Sequence, residues 1–392
     1  MSLLNIHKKI FTVAFCLQLY CLQSAGQIVN LSESANISLL TCDAGDELYS
    51  TFGHSALHVN DDSLGINIVF NYGTFDFDTP NFYMKFTNGN LDYLLSTSSY
   101  TNFLISYKYE NRSVKESILK LNASEKQQLW ERLVTNAQPE NRAYRYNFFF
   151  DNCATRIRDV VFDVKGIQPT EFQSVDDGVS FRDYLHVCLP PATWTAQGID
   201  IVLGLRTDYP ASEYDRAFLP VYLDSLFVHA GVVESESMVV KTDKAASVYS
   251  FTFSDPLPIA LLFLLFTIVV TAIEKRKNCV FRVYNVIVFS IFSLLSVFFW
   301  YMWLVTNHDA TSYNIHVLWD SIFYIPLTIM LLRKRNHAKF YTVLVYVICA
   351  SDVLFIMLNI FGLQYAPSMV YPIVAALFIR TITSLPPKKN VA

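Results

Sequence analysis

The residues best suited to chemistry in this chain are a cysteine and a histidine. Cys153 stands in RYNFFFDNCATRIRDVVFDV (145–164), directly after Asp151 and Asn152, where a helix is expected to begin. A helix start offers free backbone N–H groups and the positive end of the dipole, which stabilise a thiolate and lower its pKa. The same groups can hold an oxyanion that forms beside the sulfur. His54 stands far upstream in STFGHSALHVN, where Gly53 permits a sharp backbone approach and a strand follows at once. The thiolate is the attacking species in cysteine chemistry, so a histidine near such a thiol would serve as its base. From these residues alone, a packed core thiol and an ordinary strand histidine remain the alternative.

Weaker candidates surround this pair. Alternation along the strand puts His54, Ala56 and His58 on one face and Ser55, Leu57 and Val59 on the other. Four residues of strand span about 13 Å, so His54 and His58 cannot both reach one sulfur, and His58 reads as structural. Tyr72 and Asp76 of NYGTFDF are placed to orient an imidazole or shape a pocket, or simply to close a core strand with a turn. Asp151 or Asn152 caps the helix of Cys153, and Arg156 and Asp159 on that helix have the i,i+3 spacing of an ion pair. Arg206 and Asp208, in WTAQGIDIVLGLRTDYP, are a polar pair near the site or a capped loop. His308, Asn314 and Trp319 cluster in a stretch suited to lipid head groups or to a wet loop. The cysteines and histidines show no close ligand spacing, so neither a metal nor another cofactor is expected.

The elements that must position these residues follow from composition. The 392 residues are 52% hydrophobic and only 16% charged, well below the roughly 25% of soluble domains. The net charge of −4 gives nucleic-acid binding no electrostatic support. Residues 1–26 read as a secretory signal, with Lys8 and Lys9 before an apolar run and SAG before Gln27. Five apolar segments follow, at about 256–273, 283–305, 315–332, 341–362 and 370–385, each near the ~20 residues of a crossing helix. The loops EKRKN and RKRNHAK and the tail PPKKNVA are basic, whereas 306–316 and 363–369 carry no Lys or Arg. Positive loops stay in the cytoplasm, so the C-terminus is expected there and residues 27–255 outside.

Of the seven cysteines, only Cys42, Cys153 and Cys188 then face the oxidising side. Three is odd, so at least one is free; a Cys42–Cys188 pair would leave Cys153 as the thiol. The exported part reads as α+β. Strands are expected at NISLLTC, SALHVN, INIVFNYGTF, LDYLLST and NFLISYKYE. Helices are expected at NASEKQQLWERLVTNA, with Ser124 and Gln127 at capping-box spacing, at CATRIRDVVFDV, at SFRDYLHVCL and at SEYDRAFLPVYLDSLFVHA.

TFGHSAL, followed by NYGTFDF and then YNFFFDNCATRIRD, resembles the DUF4105 family. These are exported domains similar to circularly permuted papain-like (NlpC/P60-like) enzymes, in which the histidine precedes the cysteine. WTAQGIDIVLGLRTD, FLP and TNHDATSYNIHVLW are also similar to that family, and the architecture resembles the Lnb-type lipoprotein N-acyltransferases of Bacteroidota. The resemblance implies a permuted papain-like α+β domain followed by an all-α domain of five transmembrane helices. It implies Cys153 as nucleophile and His54 as base, and it assigns no third member. Tyr72, Asp76, Asn152, Arg206, Asp208 and His308 stay as weaker pocket candidates. The activity it implies is acyl transfer from a membrane phospholipid, through a cysteine thioester, to the N-terminal amine of a diacylated lipoprotein. A periplasmic cysteine peptidase or amidase acting on the cell wall, and a non-catalytic membrane assembly protein, are the rival readings.

Overall fold

The structure, a computed structural model, describes residues 28–174, 178–243, 252–333 and 338–385. The expected signal segment lies outside them. Strands form where β-branched and aromatic residues alternate with polar ones: β1 (Asn36–Cys42), β2 (His54–Asp61), β3 (Ile66–Thr74) and β4 (Asp92–Ser99). With β5 (Val114–Leu119), β6 (Ala143–Arg145) and β7 (Val233–Val240) they build one antiparallel sheet in the order β6-β4-β3-β2-β1-β5-β7. The helices of this part are α1 (Phe82–Thr87), α2 (Tyr100–Tyr109), α3 (Ala123–Asn136), α4 (Cys153–Lys165), α5 (Phe181–Cys188), α6 (Trp194–Val202), α7 (Glu213–Arg216) and α8 (Pro220–His229).

One face of the sheet, carrying Leu57, Val59 and Phe70, packs on Leu129 and Leu133 of α3, Ile157 and Val161 of α4 and Leu226 of α8. The other face, carrying Leu40, Ala56 and Val69, is covered by Phe103 and Tyr107 of α2.

Several expectations are corrected here. NFLISYKYE is helical, because the Ser99 hydroxyl accepts from the Asn102 amide and Phe103 and Tyr107, one turn apart, both bury on the sheet. α3 is capped two residues earlier than expected: Asn122 accepts from the Glu125 amide and Glu125 closes the box, not Ser124 and Gln127. The stretch 213–229 is two helices, with Pro220 opening the second. Cys42 and Cys188 do not pair, for Cys42 is buried under α2 and Cys188 ends α5 in a separate cluster.

Three later helices are long and apolar enough to cross a membrane: α9 (Pro256–Lys277), α10 (Arg282–Leu304) and α12 (Ala338–Ile360). Two are shorter, α11 (Tyr324–Arg333) and α13 (Val370–Thr383), so five full-length crossing helices are not seen among the described residues. The segment 315–332 is a regular helix only from Tyr324 onward, because its first half is bound to other groups. Asn314 donates to the carbonyls of Ile201 and Val202, and Gln364 donates to Asn314 and to the Leu203 carbonyl. Inside the bundle, buried Arg380 of α13 ties Glu274 and Thr271 of α9 to Asn285 of α10.

The sheet domain is set directly on this bundle. The Gly204 amide donates to the Ala310 carbonyl at 2.7 Å, and a Cβ on Gly204 would lie 1.9 Å from the Ser312 carbonyl oxygen. Only a residue without a side chain allows that approach.

Candidate active site

Asn152 starts α4, and it explains why Cys153 is held as it is. Its side-chain oxygen accepts from the amides of Ala154 and Thr155 at 2.8 and 2.9 Å, while the Thr155 hydroxyl accepts from the Asn152 amide. Its side-chain nitrogen donates to the carbonyls of Phe148 and Phe218, both at 2.8 Å. With all its hydrogen bonds turned inward and 3% exposure, Asn152 is a positioning residue. Cys153 is the first residue of the helix.

The thiol is wedged where two strands part. β2 and β3 pair from Asp61↔Ile66 to Leu57↔Phe70, and β3 then shifts register between Asn71 and Thr74 to follow β4. Cys153 enters that fork. The Ser55 amide donates to its sulfur from one side, and on the other a Cβ on Gly73 would lie 3.3 Å from the Cys153 Cβ. The amides of Ala154 and of Cys153 itself also reach the sulfur. Burial pushes the thiol pKa up, and these three amides oppose the rise. The Ala154 amide is shared with Asn152, which leaves those of Ser55 and Cys153 as the freer donors.

His54 precedes Ser55 and is the first residue of β2. Gly53 takes φ +76°, and a Cβ there would lie 2.7 Å from the Cys42 carbonyl, so the turn into the strand requires glycine. Burial lowers the pKa of the imidazole from 6.5 to about 4; a hydrogen bond with the Asn71 side chain opposes this and the Arg112 guanidinium adds to it. At neutral pH the ring is therefore uncharged and able to accept a proton. Asn71 is buried on β3 and shares the face of His54 and Ala56, and its own amide reaches Ser98 at 3.5 Å. The structure thus sets a helix-start thiol against the amide of Ser55, and the residue before Ser55 in the chain is a neutral histidine whose ring is held by an asparagine on the next strand.

The sequence reading stopped one residue short of Asn71. It chose Tyr72, whose parity puts it on the opposite face, where its hydroxyl accepts from Asn136 at 3.0 Å. The signal was present, since Asn71 leads NYGTFDF and lies at even spacing from Val69 on the His54 face.

The other candidates have local partners. Asp76 is exposed and accepts from the Asp78 amide in the turn after β3. Asp208 forms a two-pronged pair with Arg182 at 2.9 and 3.0 Å and accepts from the Tyr365 amide, so it serves the joint between the two parts. Arg206 is exposed and lies 5.8 Å from the Tyr313 ring instead of pairing with Asp208. His308 contacts the carbonyls of Phe86 and Thr87 at the end of α1. Arg156 pairs with Asp151 at 2.6 and 2.8 Å, not with Asp159, because its guanidinium lies back over the Tyr144 ring; Asp159 is taken by Arg158. His58 is structural, stacked on Tyr100 and hydrogen-bonded to Glu116 and Asn67. No group of three or more metal-ligating side chains occurs among the described residues.

Comparison with known families gives two matches. Residues 28–185 match the Lnb N-terminal periplasmic domain, and residues 248–390 match the Lnb transmembrane domain. Together the two matches take in most of the chain. No curated protein and no solved structure matches it.

Proposed function

Since the chain belongs to the Lnb-type family, we propose that this membrane protein with a periplasmic domain is a thiol acyltransferase. It moves an acyl chain from a membrane phospholipid, through a thioester on Cys153, to the N-terminal amine of a diacylated lipoprotein. In this reading the periplasmic domain is of the permuted papain-like kind, on five membrane-embedded helices in the inner membrane with the C-terminus in the cytoplasm. The single observation that carries the reading is the setting of Cys153 at the start of α4. There the Ser55 amide reaches its sulfur, and the neighbouring His54 is neutral and held by Asn71.

The steps balance with these groups alone. Neutral His54 takes the thiol proton as the sulfur attacks the ester carbonyl of the phospholipid, forming the C–S bond. The amides of Ser55 and Cys153 stabilise the oxyanion. The intermediate collapses with cleavage of the ester C–O bond, and the imidazolium protonates the leaving lysophospholipid alkoxide. The acceptor amine then attacks the thioester, His54 takes the amine proton, and the C–S bond breaks. That proton returns to the thiolate, leaving an amide and the original enzyme. Donor and acceptor are both confined to the bilayer on which the domain stands, and this raises their local concentration.

The test is intact mass spectrometry of the full-length protein after incubation with phospholipid, wild type beside Cys153→Ala. The expected result is a hydroxylamine-labile adduct of acyl mass on the wild type alone. Equal spectra, with Cys153 inert to alkylation, overturn the reading.

One observation favours the peptidase or amidase alternative. A polar groove of about 680 Å3 runs along α4, lined by Tyr72, Arg132, Asn136, Asp151, Arg156 and Asp163 among others. Cys153 is not in its lining, and its arginines are already paired with Asp151 and Asp163. The lipid substrate therefore stands as the better-supported one.

A further inference from the structure

The stretch between β3 and β4 carries more exposed aromatic surface than a soluble surface tolerates singly. Phe77, Tyr83, Met84 and Phe86 are 64%, 78%, 63% and 52% exposed. At about 100° per residue, Phe82, Phe86, Tyr83 and Met84 fall in one continuous sector of α1, and Lys85 lies outside it. Phe82 alone turns inward.

The location of this face matters as much as its composition. Asn88, which ends α1, is bonded to the Tyr301 hydroxyl and accepts from the Asn307 amide, and His308 contacts the carbonyls of Phe86 and Thr87. Tyr301 belongs to the last turn of α10, a helix long enough to cross the membrane, and Leu304 and Val305 at its end are themselves exposed and apolar. The apolar face of α1 is therefore continuous with the membrane-facing surface of the bundle, at the level where aromatic side chains favour the bilayer interface.

From α1 an aromatic chain leads inward. Phe82 contacts Phe75, Phe75 contacts Tyr93, and Tyr93 stacks on Tyr146 with centroids 5.8, 5.4 and 4.1 Å apart. Tyr146 would meet a Cβ on Gly73 at 3.6 Å, where the Cys153 Cβ lies at 3.3 Å.

We propose that α1 and the turn before it lie in the outer leaflet, with Phe77, Tyr83, Met84 and Phe86 in contact with lipid, and form the lipid-side wall of the approach to Cys153. The role in guiding substrate rests on the acyl-transfer reading; the seat in the leaflet does not.

The experiment uses the full-length protein in phosphatidylethanolamine and phosphatidylglycerol vesicles containing a trace of phospholipid with a diazirine near the ester end of one chain. After illumination, adducts are mapped by peptide mass spectrometry, in the wild type and in Cys153→Ala. Adducts on peptides covering 75–87 as well as on α9, α10 and α12 are expected in both proteins. Adducts on the long helices with none on 75–87 overturn the proposal, and so does a chain-to-chain cross-link at α1 in their place, which would make that face an interface between copies. Labelling of α1 in a wild-type protein that shows no hydroxylamine-labile acyl adduct on Cys153 would leave this inference standing and remove the acyl-transfer reading. The triple variant Y83S/M84S/F86S loses the adduct on 75–87 while keeping those on the long helices.

Discussion

Acidification costs this fold stability through the ring of His54, and the size of the effect follows from its surroundings. Burial lowers its pKa from 6.5 to about 4, and Arg112 adds to the fall, while the Asn71 hydrogen bond offsets only part of it. At 1.36 kcal/mol per pH unit, that gap corresponds to about 3 kcal/mol. The residue as a whole is only half-buried, and screening reduces the figure to about 2 kcal/mol. The folded chain binds this proton less readily than the unfolded chain. The contribution is thus complete above pH 6.5, is lost as pH falls from 6.5 to about 4, and changes no further below. Asp61 also titrates low, held near 2 mainly by the Ser63 hydroxyl, so its loss falls below this window. The assay is urea unfolding of the full chain in detergent micelles at pH 7.5 and at pH 4.5, wild type beside His54→Gln, with the wild type losing about 2 kcal/mol more than the variant. The same protonation states govern Cys153. With its thiol pushed up and the His54 ring neutral, alkylation by iodoacetamide should keep rising through pH 9, because the thiolate is the reactive form. Equal acid sensitivity in the two proteins, or a flat alkylation rate from pH 5 to 8, would mean that a thiolate–imidazolium pair exists at rest and would refute the reasoning.

Three further outcomes follow from the geometry. Asn71→Ala releases the ring of His54 and removes the contact that holds its pKa up; acyl transfer should fall by at least about tenfold with the acidic limb of the pH–rate profile moved to lower pH, and an unchanged profile would exclude a positioning role. Asn152→Ala removes a helix cap, about 1 kcal/mol, and strands two buried carbonyls at about 1–3 kcal/mol each. It should destabilise the chain by about 3 kcal/mol or more in urea unfolding, whereas Asn152→Ser, which keeps the capping oxygen, should lose less. Gly204→Ala puts a Cβ 1.9 Å from the Ser312 oxygen and must push the two parts of the protein apart; a cost of about 1–3 kcal/mol and new protease cleavage near residues 203–205 are expected, and wild-type stability would show that the joint can yield.

Strands β1 to β4 were legible, while β5, β6 and β7 were not, because the first four announce themselves through apolar content: β1, for instance, buries Ile37 and Leu39 on one face and Leu40 and Cys42 on the other. Cys153 and His54 stand out in the sequence because each lies in a short stretch of distinctive chemistry, and the helix start expected at Cys153 is where α4 begins. Helix α2 was not, because Ser99 converts an aromatic run of strand-like composition into a helix start, and only the cap distinguishes them. Asn71 was hidden for a different reason. Its importance depends on β2 and β3 separating beyond Leu57↔Phe70, and that separation is enforced by α4 and by the pairing of Thr74 with β4, neither of which is written locally. The joint between the two parts was misjudged too. Arg206 and Asp208 look like a pair by spacing, yet Asp208 is drawn to Arg182, a 1%-exposed guanidinium that also holds the Asp200 carboxylate.

These misreadings bear on how the site works. Asp208 and Asn314, which in sequence could belong to a pocket, are instead spent with Gln364, Gly204 and Arg182 on fixing the periplasmic domain to the bundle. What is left at the thiol is sparse: backbone amides, one neutral ring, one asparagine and an aromatic lining. A site of that composition has little to offer a charged substrate and holds no resting thiolate for water-borne electrophiles to reach. It suits an ester carbonyl delivered from lipid, whose oxyanion is the first full charge the Ser55 and Cys153 amides meet. In the proposed reaction, fixing the domain rigidly would have a direct purpose, because the height of the fork between β2 and β3 above the bilayer would set which bond of a phospholipid reaches Cys153. On that ground, a variant that loosens the Gly204 joint should lower the rate of thioester formation from vesicles far more than the rate of alkylation of Cys153 by a soluble reagent. Equal losses would mean that the joint supports the fold and not the alignment.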